Sequence, residues 1–146
     1  MKKICLFLLF IGFATQGFAK SDTIRNPTVP KEIVASFAKA HPDAKLVNWA
    51  KAKSTYIVSY RETNSNLWTI YDLNGDLIES KWRVFEKDLP SATLNYIKTN
   101  NTQEIQEYYK IIEANGNINY EVSTLTKSYM FDSEGLFYKT IELLKR

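Results

Sequence analysis

The sequence predicts an α+β fold: tandem α-β-β-β-β repeats, an antiparallel sheet of about eight strands, and helices packed on one face. Three observations predict it. Blocks of sequence recur about sixty residues apart: Val29-Pro30 returns as Leu89-Pro90, and Tyr71-Asp72-Leu73-Asn74-Gly75 returns as Phe131-Asp132-Ser133-Glu134-Gly135. Each block opens with a proline followed by apolar residues at helical spacing. The remainder of each block alternates apolar and polar residues, with the aromatic enrichment that strands favour (14% Phe, Trp and Tyr).

The first element is not part of the fold. Lys2 and Lys3, the apolar run Ile4 to Phe13, and the small residues around Gly17-Phe18-Ala19 read as a signal peptide over 1–19, cut after Ala19. The run is too short to span a bilayer comfortably, so no stable membrane span is expected after its removal. Residues 20–28 are expected to be a flexible lead. The first repeat then covers 29–86 and the second 87–146, together one compact domain.

Pro30 and Pro90 sit where proline is tolerated, in a first helical turn. Ile33 and Phe37 share one helical face, as do Leu94 and Ile97. His41-Pro42-Asp43 ends the first helix, because the residue before proline avoids the helical region. Asn100-Asn101 ends the second. Strands are expected at 45–51, 55–61, 66–73 and 76–84, then at 104–113, 118–125, 127–132 and 136–143. Asn74-Gly75 reads as a two-residue hairpin turn, and Ser133-Glu134-Gly135 as a slightly longer one. Trp49 aligns with Tyr109, while Tyr56-Ile57-Val58 matches Tyr120-Glu121-Val122 at a larger offset.

This doubled order of proline-opened helix, aromatic strand, Tyr-x-Val and aromatic-Asp-x-x-Gly behind a signal peptide resembles the PepSY-like family of secreted Bacteroidetes proteins. That family's fold is similar to β-lactamase inhibitory protein. The resemblance covers about residues 29–144. It implies a periplasmic or surface location and a binding or inhibitory role, without implying inhibition of a β-lactamase.

Composition narrows the function further. Cys5 lies inside the leader, so the mature chain would hold no cysteine for a disulfide, a thiolate metal site or a nucleophile. Without Lys2 and Lys3, seventeen basic residues face sixteen acidic ones, a net charge of +1. No concentrated basic face for nucleic acid is visible. His41 is the one histidine, no Gly-x-Ser-x-Gly elbow or phosphate-binding glycine loop occurs, and metal sites of His or Cys lack ligands. Asp72-Leu73-Asn74-Gly75-Asp76 resembles the start of a calcium loop, but Leu77 and Arg83 stand where glycine and glutamate are required. No cofactor, metal or catalytic residue is expected, and the chain reads as a non-enzyme.

Strand alternation assigns Val47, Trp49, Tyr56, Val58, Tyr60, Tyr71, Ile78, Trp82 and Val84 to the helix-covered face, with Tyr109, Tyr120, Val122, Tyr129, Phe131 and Tyr138 as second-repeat equivalents. On the other face the repeats differ. The first shows Ile57, Trp68 and Ile70, with Leu77 nearby and Ser59, Glu79 and Lys81 as a polar surround; the second shows Glu121, Ser123 and Ser128, the pattern of a solvated surface. An apolar cluster on an uncovered sheet face marks an interaction site. Ile57, Trp68, Ile70, Leu77 and Lys81 are therefore the candidate binding residues, for a protein or peptide of the cell envelope. The alternative is a small-ligand or envelope-stress sensing module, with a pocket lined by Tyr and Trp between sheet and helices.

Overall fold

The computed structural model describes residues 23–143; the expected leader and its cleavage site lie outside them. The described chain runs β1 (Thr23–Arg25), α1 (Lys31–Ala40), β2 (Lys45–Ala52), β3 (Thr55–Glu62), β4 (Ser65–Asp72), β5 (Leu77–Val84), α2 (Ser91–Asn100), β6 (Ile105–Glu113), β7 (Ile118–Thr124), β8 (Lys127–Phe131) and β9 (Phe137–Glu142). The strands form one antiparallel sheet in the order β1 to β9, so every neighbour in space is a neighbour among the strands in sequence. The eight expected strands are all present. The short β1 adds a ninth, beside the end of β2, within the stretch expected to be a flexible lead.

Both helices cover the same face. Ile33 and Phe37 of α1 pack on Tyr56, Val58, Tyr60 and Tyr71. Leu94 and Ile97 of α2 pack with Leu89 on Val122, Tyr129 and Phe131. Aromatic edges fill the first core: Phe37 meets Trp49 and Tyr60 edge-on at 5.6 and 4.9 Å between ring centres. In the second, Tyr96 stacks on Phe137 at 4.4 Å.

The β4–β5 and β8–β9 hairpins share one turn. Asp72 N–H donates to the Asp76 carbonyl and Gly75 N–H to the Asp72 carbonyl, while the Asp72 carboxylate accepts from the N–H groups of Asn74 and Asp76. Asp132, Glu134, Gly135 and Leu136 repeat the pattern. The aspartate is thus an Asx-type turn former. Only the glycine takes a left-handed backbone, at φ +91° and +84°. Asn74 does not, so the expected two-residue turn is corrected to this wider loop. The backbone N–H groups of Asp76 and Asn74 hold the Asp72 carboxyl below its usual range. The two glycines also seat the helices. A Cβ on Gly75 would lie 3.0 Å from the Ile33 side chain, and one on Gly135 would lie 2.6 Å from Pro90 Cβ and 2.7 Å from Thr93 Oγ1.

The wider turn has a cost in register. Ile70 pairs with Glu79 and Tyr71 with Leu77, leaving Ile78 as the extra residue of a β-bulge. Likewise Met130 pairs with Lys139 and Phe131 with Phe137, leaving Tyr138 extra. Ile78 consequently joins the face that no described helix covers, termed the helix-free face, against the expectation. Tyr138 lines a recess on that same face, and Phe137 takes the core position foreseen for it. Tyr108, not Tyr109, opposes Val122 and faces α2, because a longer β6–β7 turn moves the register. Val47 is largely exposed, beside an irregularity of β2. Trp49 opposes Val58 and packs on the helix-covered core, the face expected of it.

Candidate functional site

The helix-free face is organised in cross-strand rows. Ser59, Trp68, Lys81, Ile111 and Asn119 form one row over five strands. Ala50, Ile57, Ile70, Glu79 and Glu113 form the next, apolar at the β2 end and acidic at the β6 end. Ile57 and Ile70 are buried, at 4% and 2% exposed, and centre a cluster with Ala52, to which Ala50, Trp68 and Ile78 add; the expected open apolar patch is corrected to a packed cluster, accessible at the recesses beside Trp68. The face thus brings together four of the five residues predicted from sequence: Ile57, Trp68, Ile70 and Lys81. Leu77 is the exception. It opposes Tyr71 across the bulge and is 43% exposed.

Two expectations about polarity are corrected. Lys81 is not part of an exposed surround: it is 0% exposed, and its Nζ donates to Glu121 Oε2 at 2.6 Å and lies 3.9 Å from the centre of the Tyr109 ring. Glu121, Ser123 and Ser128 are not a solvated surface either, since all three are buried. Ser128 Oγ donates to the other Glu121 oxygen at 2.7 Å. Burying a charge is tolerated only when it is paired and hydrogen-bonded, and here both conditions hold.

Trp68 stands edge-on to Tyr109, with 5.8 Å between ring centres, and lines recesses on both sides of it. One, of about 400 Å³, includes Asn48, Ala50, Ile57 and Ser59. The other, of about 370 Å³, includes Asn66, Arg83, Phe85, Glu107 and Tyr109, and Arg83 is ion-paired to Glu107 there. A third recess of about 240 Å³ lies at the acidic end of the row, where Glu79 and Glu113 are walled by Ile111, Met130, Tyr138 and Ile141. Glu113 accepts hydrogen bonds from Asn117 and Asn119. Burial pushes Glu79 up to about 7, against the pull of Lys81 and with the push of Glu121 and Glu113. Burial, with Glu113 next in effect, raises Tyr138 to about 12.

Alternation along the strands found the face but not Glu113, Tyr109 or Tyr138. The Asx turn is the signal that would have placed Tyr138, since the wider loop forces the bulge. Three of these recesses lie on the helix-free face, while a fourth, of about 310 Å³, does lie between sheet and helix, lined by Leu94, Ile97, Ile105, Tyr108 and Val122 with a Tyr but no Trp. His41 sits on the helix-covered side. Its ring nitrogens lie 3.3 Å from Tyr60 Oη, and Nδ1 lies 3.4 Å from Glu62 Oε2. No group of three or more potential metal ligands occurs among the described residues.

An open antiparallel meander carrying two helices on one face defines the class: an α+β protein with a single two-faced sheet. Solved structures with this fold include proteins from Bacteroides, one of them described as BLIP-like. A protein from Bacteroides eggerthii assigned to the periplasm superimposes with a TM-score of 0.67 at 12% identity, over 80% of this chain and 90% of its own. A DUF2874 family protein from Bacteroides uniformis gives 0.65 at 16% identity, over 78% and 89%. A BLIP-like protein from Bacteroides fragilis gives 0.64 at 13%, over 82% and 90%. At these identities the likeness shows the fold alone. No protein-family model matches the chain, and no curated protein matches it. No described helix is long and apolar enough to cross a membrane.

Proposed function

We propose that this chain is an exported, non-enzymatic binding protein of the periplasm or cell surface that docks a protein or peptide on its helix-free sheet face. The carrying observation is the row from Ala50 through Ile57 and Ile70 to Glu79 and Glu113, flanked by Trp68. Tryptophan brings large contact area at low conformational cost, and recesses on either side of Trp68 give a partner somewhere to insert. The BLIP-like fold supports an inhibitor-like role, and the PepSY-like sequence pattern and the signal peptide support export. The same pattern supports an origin in a duplicated α-β-β-β-β unit.

The test compares recovery of envelope polypeptides by the wild-type protein, Trp68→Ala, and Val34→Ala on the exposed side of α1. The expected result is a partner held by wild type and Val34→Ala and lost by Trp68→Ala, with all three folded by circular dichroism. Equal recovery by all three overturns the reading.

A second reading, capture of a small ligand, rests on the recess of about 370 Å³ lined by Trp68, Tyr109, Arg83 and Glu107. Its size and its mixture of aromatic and convergent polar groups suit a small molecule. Thermal-shift screening of small glycans and peptides separates the readings: stabilisation by a small molecule that is lost in Arg83→Ala favours the second.

A further inference from the structure

We propose that the recess bounded by Trp68, Phe85, Arg83 and Glu107 is a saccharide subsite that takes an uncharged sugar. A ring face of the sugar rests on the aromatic side chains, and its hydroxyls meet Asn66, Arg83 and Glu107. The inference rests on the small-ligand reading above and gives that ligand a chemical class.

Two ordered turns frame the recess. Thr63 and Asn64 both take left-handed backbone, at φ +47° and +65°, the geometry of a two-residue hairpin turn between β3 and β4. Opposite, the segment after β5 is closed by a reciprocal pair of bonds. Phe85 N–H donates to Asp88 Oδ2 at 3.0 Å, and Asp88 N–H donates to the Phe85 carbonyl at 2.9 Å. Val84 and Leu89 pack on the second core, yet Phe85 beside Val84 lines the recess and is 72% exposed. Lys87 Nζ lies 5.8 Å from the Phe85 ring centre, near the outer limit of a cation–π contact. Trp68, braced edge-on by Tyr109, presents a second ring to the same space.

Aromatic walls alone would accept many apolar ligands; the polar lining narrows the choice. Arg83 and Glu107 are the charged residues of the lining, and they are ion-paired to each other. An ionic ligand therefore finds no uncompensated counter-charge there, and stripping it of water costs more than stripping a neutral one. The pair still sets guanidinium donors beside carboxylate acceptors, and 59% of the Arg83 side chain remains exposed. Asn66 Oδ1 accepts from Arg61 Nε at 3.2 Å, so the Asn66 amide nitrogen is the atom left to donate. The ligand that matches such a lining is neutral, carries groups that both donate and accept, and has a weakly polar face. A pyranose ring has all three properties. Each hydroxyl donates and accepts, and the C–H groups of one ring face seat on the negative face of an aromatic ring. The volume of about 370 Å³ has room for about one or two such rings.

The experiment titrates the ¹⁵N-labelled mature protein with cellobiose, with maltose and with the acidic disaccharide digalacturonate. One of the neutral sugars is expected to shift the Trp68 indole N–H and the backbone resonances of Asn66, Phe85 and Glu107. Digalacturonate should bind about tenfold more weakly. Phe85→Ala changes an exposed side chain, so the fold is kept, and it should weaken the neutral sugar about threefold or more. Glu107→Gln releases the Arg83 charge and should narrow the gap between neutral and acidic sugars. Wild-type preference for digalacturonate, or a neutral sugar held equally well by Phe85→Ala, overturns the uncharged-saccharide subsite. So does failure of every sugar to perturb these residues at a concentration on the order of 10 mM. Stabilisation by some other small molecule that Arg83→Ala abolishes would then leave the small-ligand reading standing, and its absence would overturn both.

Discussion

The helix-free face of the first half, over β2 to β5, and that of the second, over β6 to β9, solve one problem differently. Ile57, Trp68 and Ile70 occupy register positions that correspond to Glu121, Ser128 and Met130. In the first half the face is filled by aliphatic and indole contact. In the second, a buried carboxylate sits at the equivalent of Ile57 and is satisfied by Ser128 and by Lys81, which reaches it from the first half. Burial at a sheet position therefore does not require an apolar residue. It requires that every buried polar group find a partner, and the partner here lies forty residues away.

The comparison breaks first at Lys81. Replacing it with methionine leaves Glu121 buried without its cation, and the expected loss of stability is about 3–5 kcal/mol. Replacing both, as Lys81→Met/Glu121→Leu, extends the aliphatic solution of the first half into the second and should recover most of that loss. Urea denaturation followed by circular dichroism measures both. A cost below about 1 kcal/mol for the single variant would show that the pair does not hold the halves together.

The seating of the two helices gives the next largest effect. Gly75 and Gly135 share a positive φ that alanine adopts only with strain, about 1–2 kcal/mol. At Gly75 the new methyl meets the end of a movable isoleucine, whereas at Gly135 it meets a proline ring and the Thr93 backbone. Gly135→Ala is expected to cost about 2 kcal/mol more than Gly75→Ala, because α2 must shift away from its turn. Equal melting temperatures for the two variants would place the helices less tightly than the contacts indicate.

The smallest effect concerns Glu79. Its carboxyl titrates near 7 in the folded chain against 4.5 ordinarily, so the folded state holds its proton more strongly than the unfolded state does. Stability from this group is present in full below about 4.5 and is lost as pH rises through about 7. The shift corresponds to at most about 3 kcal/mol, reduced by the screening that its partial exposure allows. Glu79→Gln should flatten the decline between pH 5 and 8 and melt higher than wild type at pH 8, while a matched Glu121→Gln should not. Parallel pH profiles for wild type and Glu79→Gln would remove Glu79 as the source.

Much of the fold was legible because alternation and helix spacing are local signals. Ile33 with Phe37 and Leu94 with Ile97 face the sheet as their spacing implies. The errors cluster where one residue too many enters a strand. Ile78 and Tyr138 changed sides because an aspartate side chain, and not only the glycine, sets the turn. Leu77 left the candidate site through that same bulge. Glu121 was misread as solvated because alternation reports which face a residue takes and is silent about its partner on a strand from the other half. The acidic end of the row was equally invisible, since Glu79 and Glu113 meet only after β5 and β6 pair.

The strand order carries a kinetic corollary. Six of the eight pairings join strands linked by a short hairpin, and only β1–β2 and β5–β6 must close over a helix. Chains whose partners are near in sequence assemble quickly for their sheet content, because little loop entropy is lost before each contact forms. Two four-stranded ribbons can therefore zip independently, and the late event is their meeting along the seam where Lys81 finds Glu121.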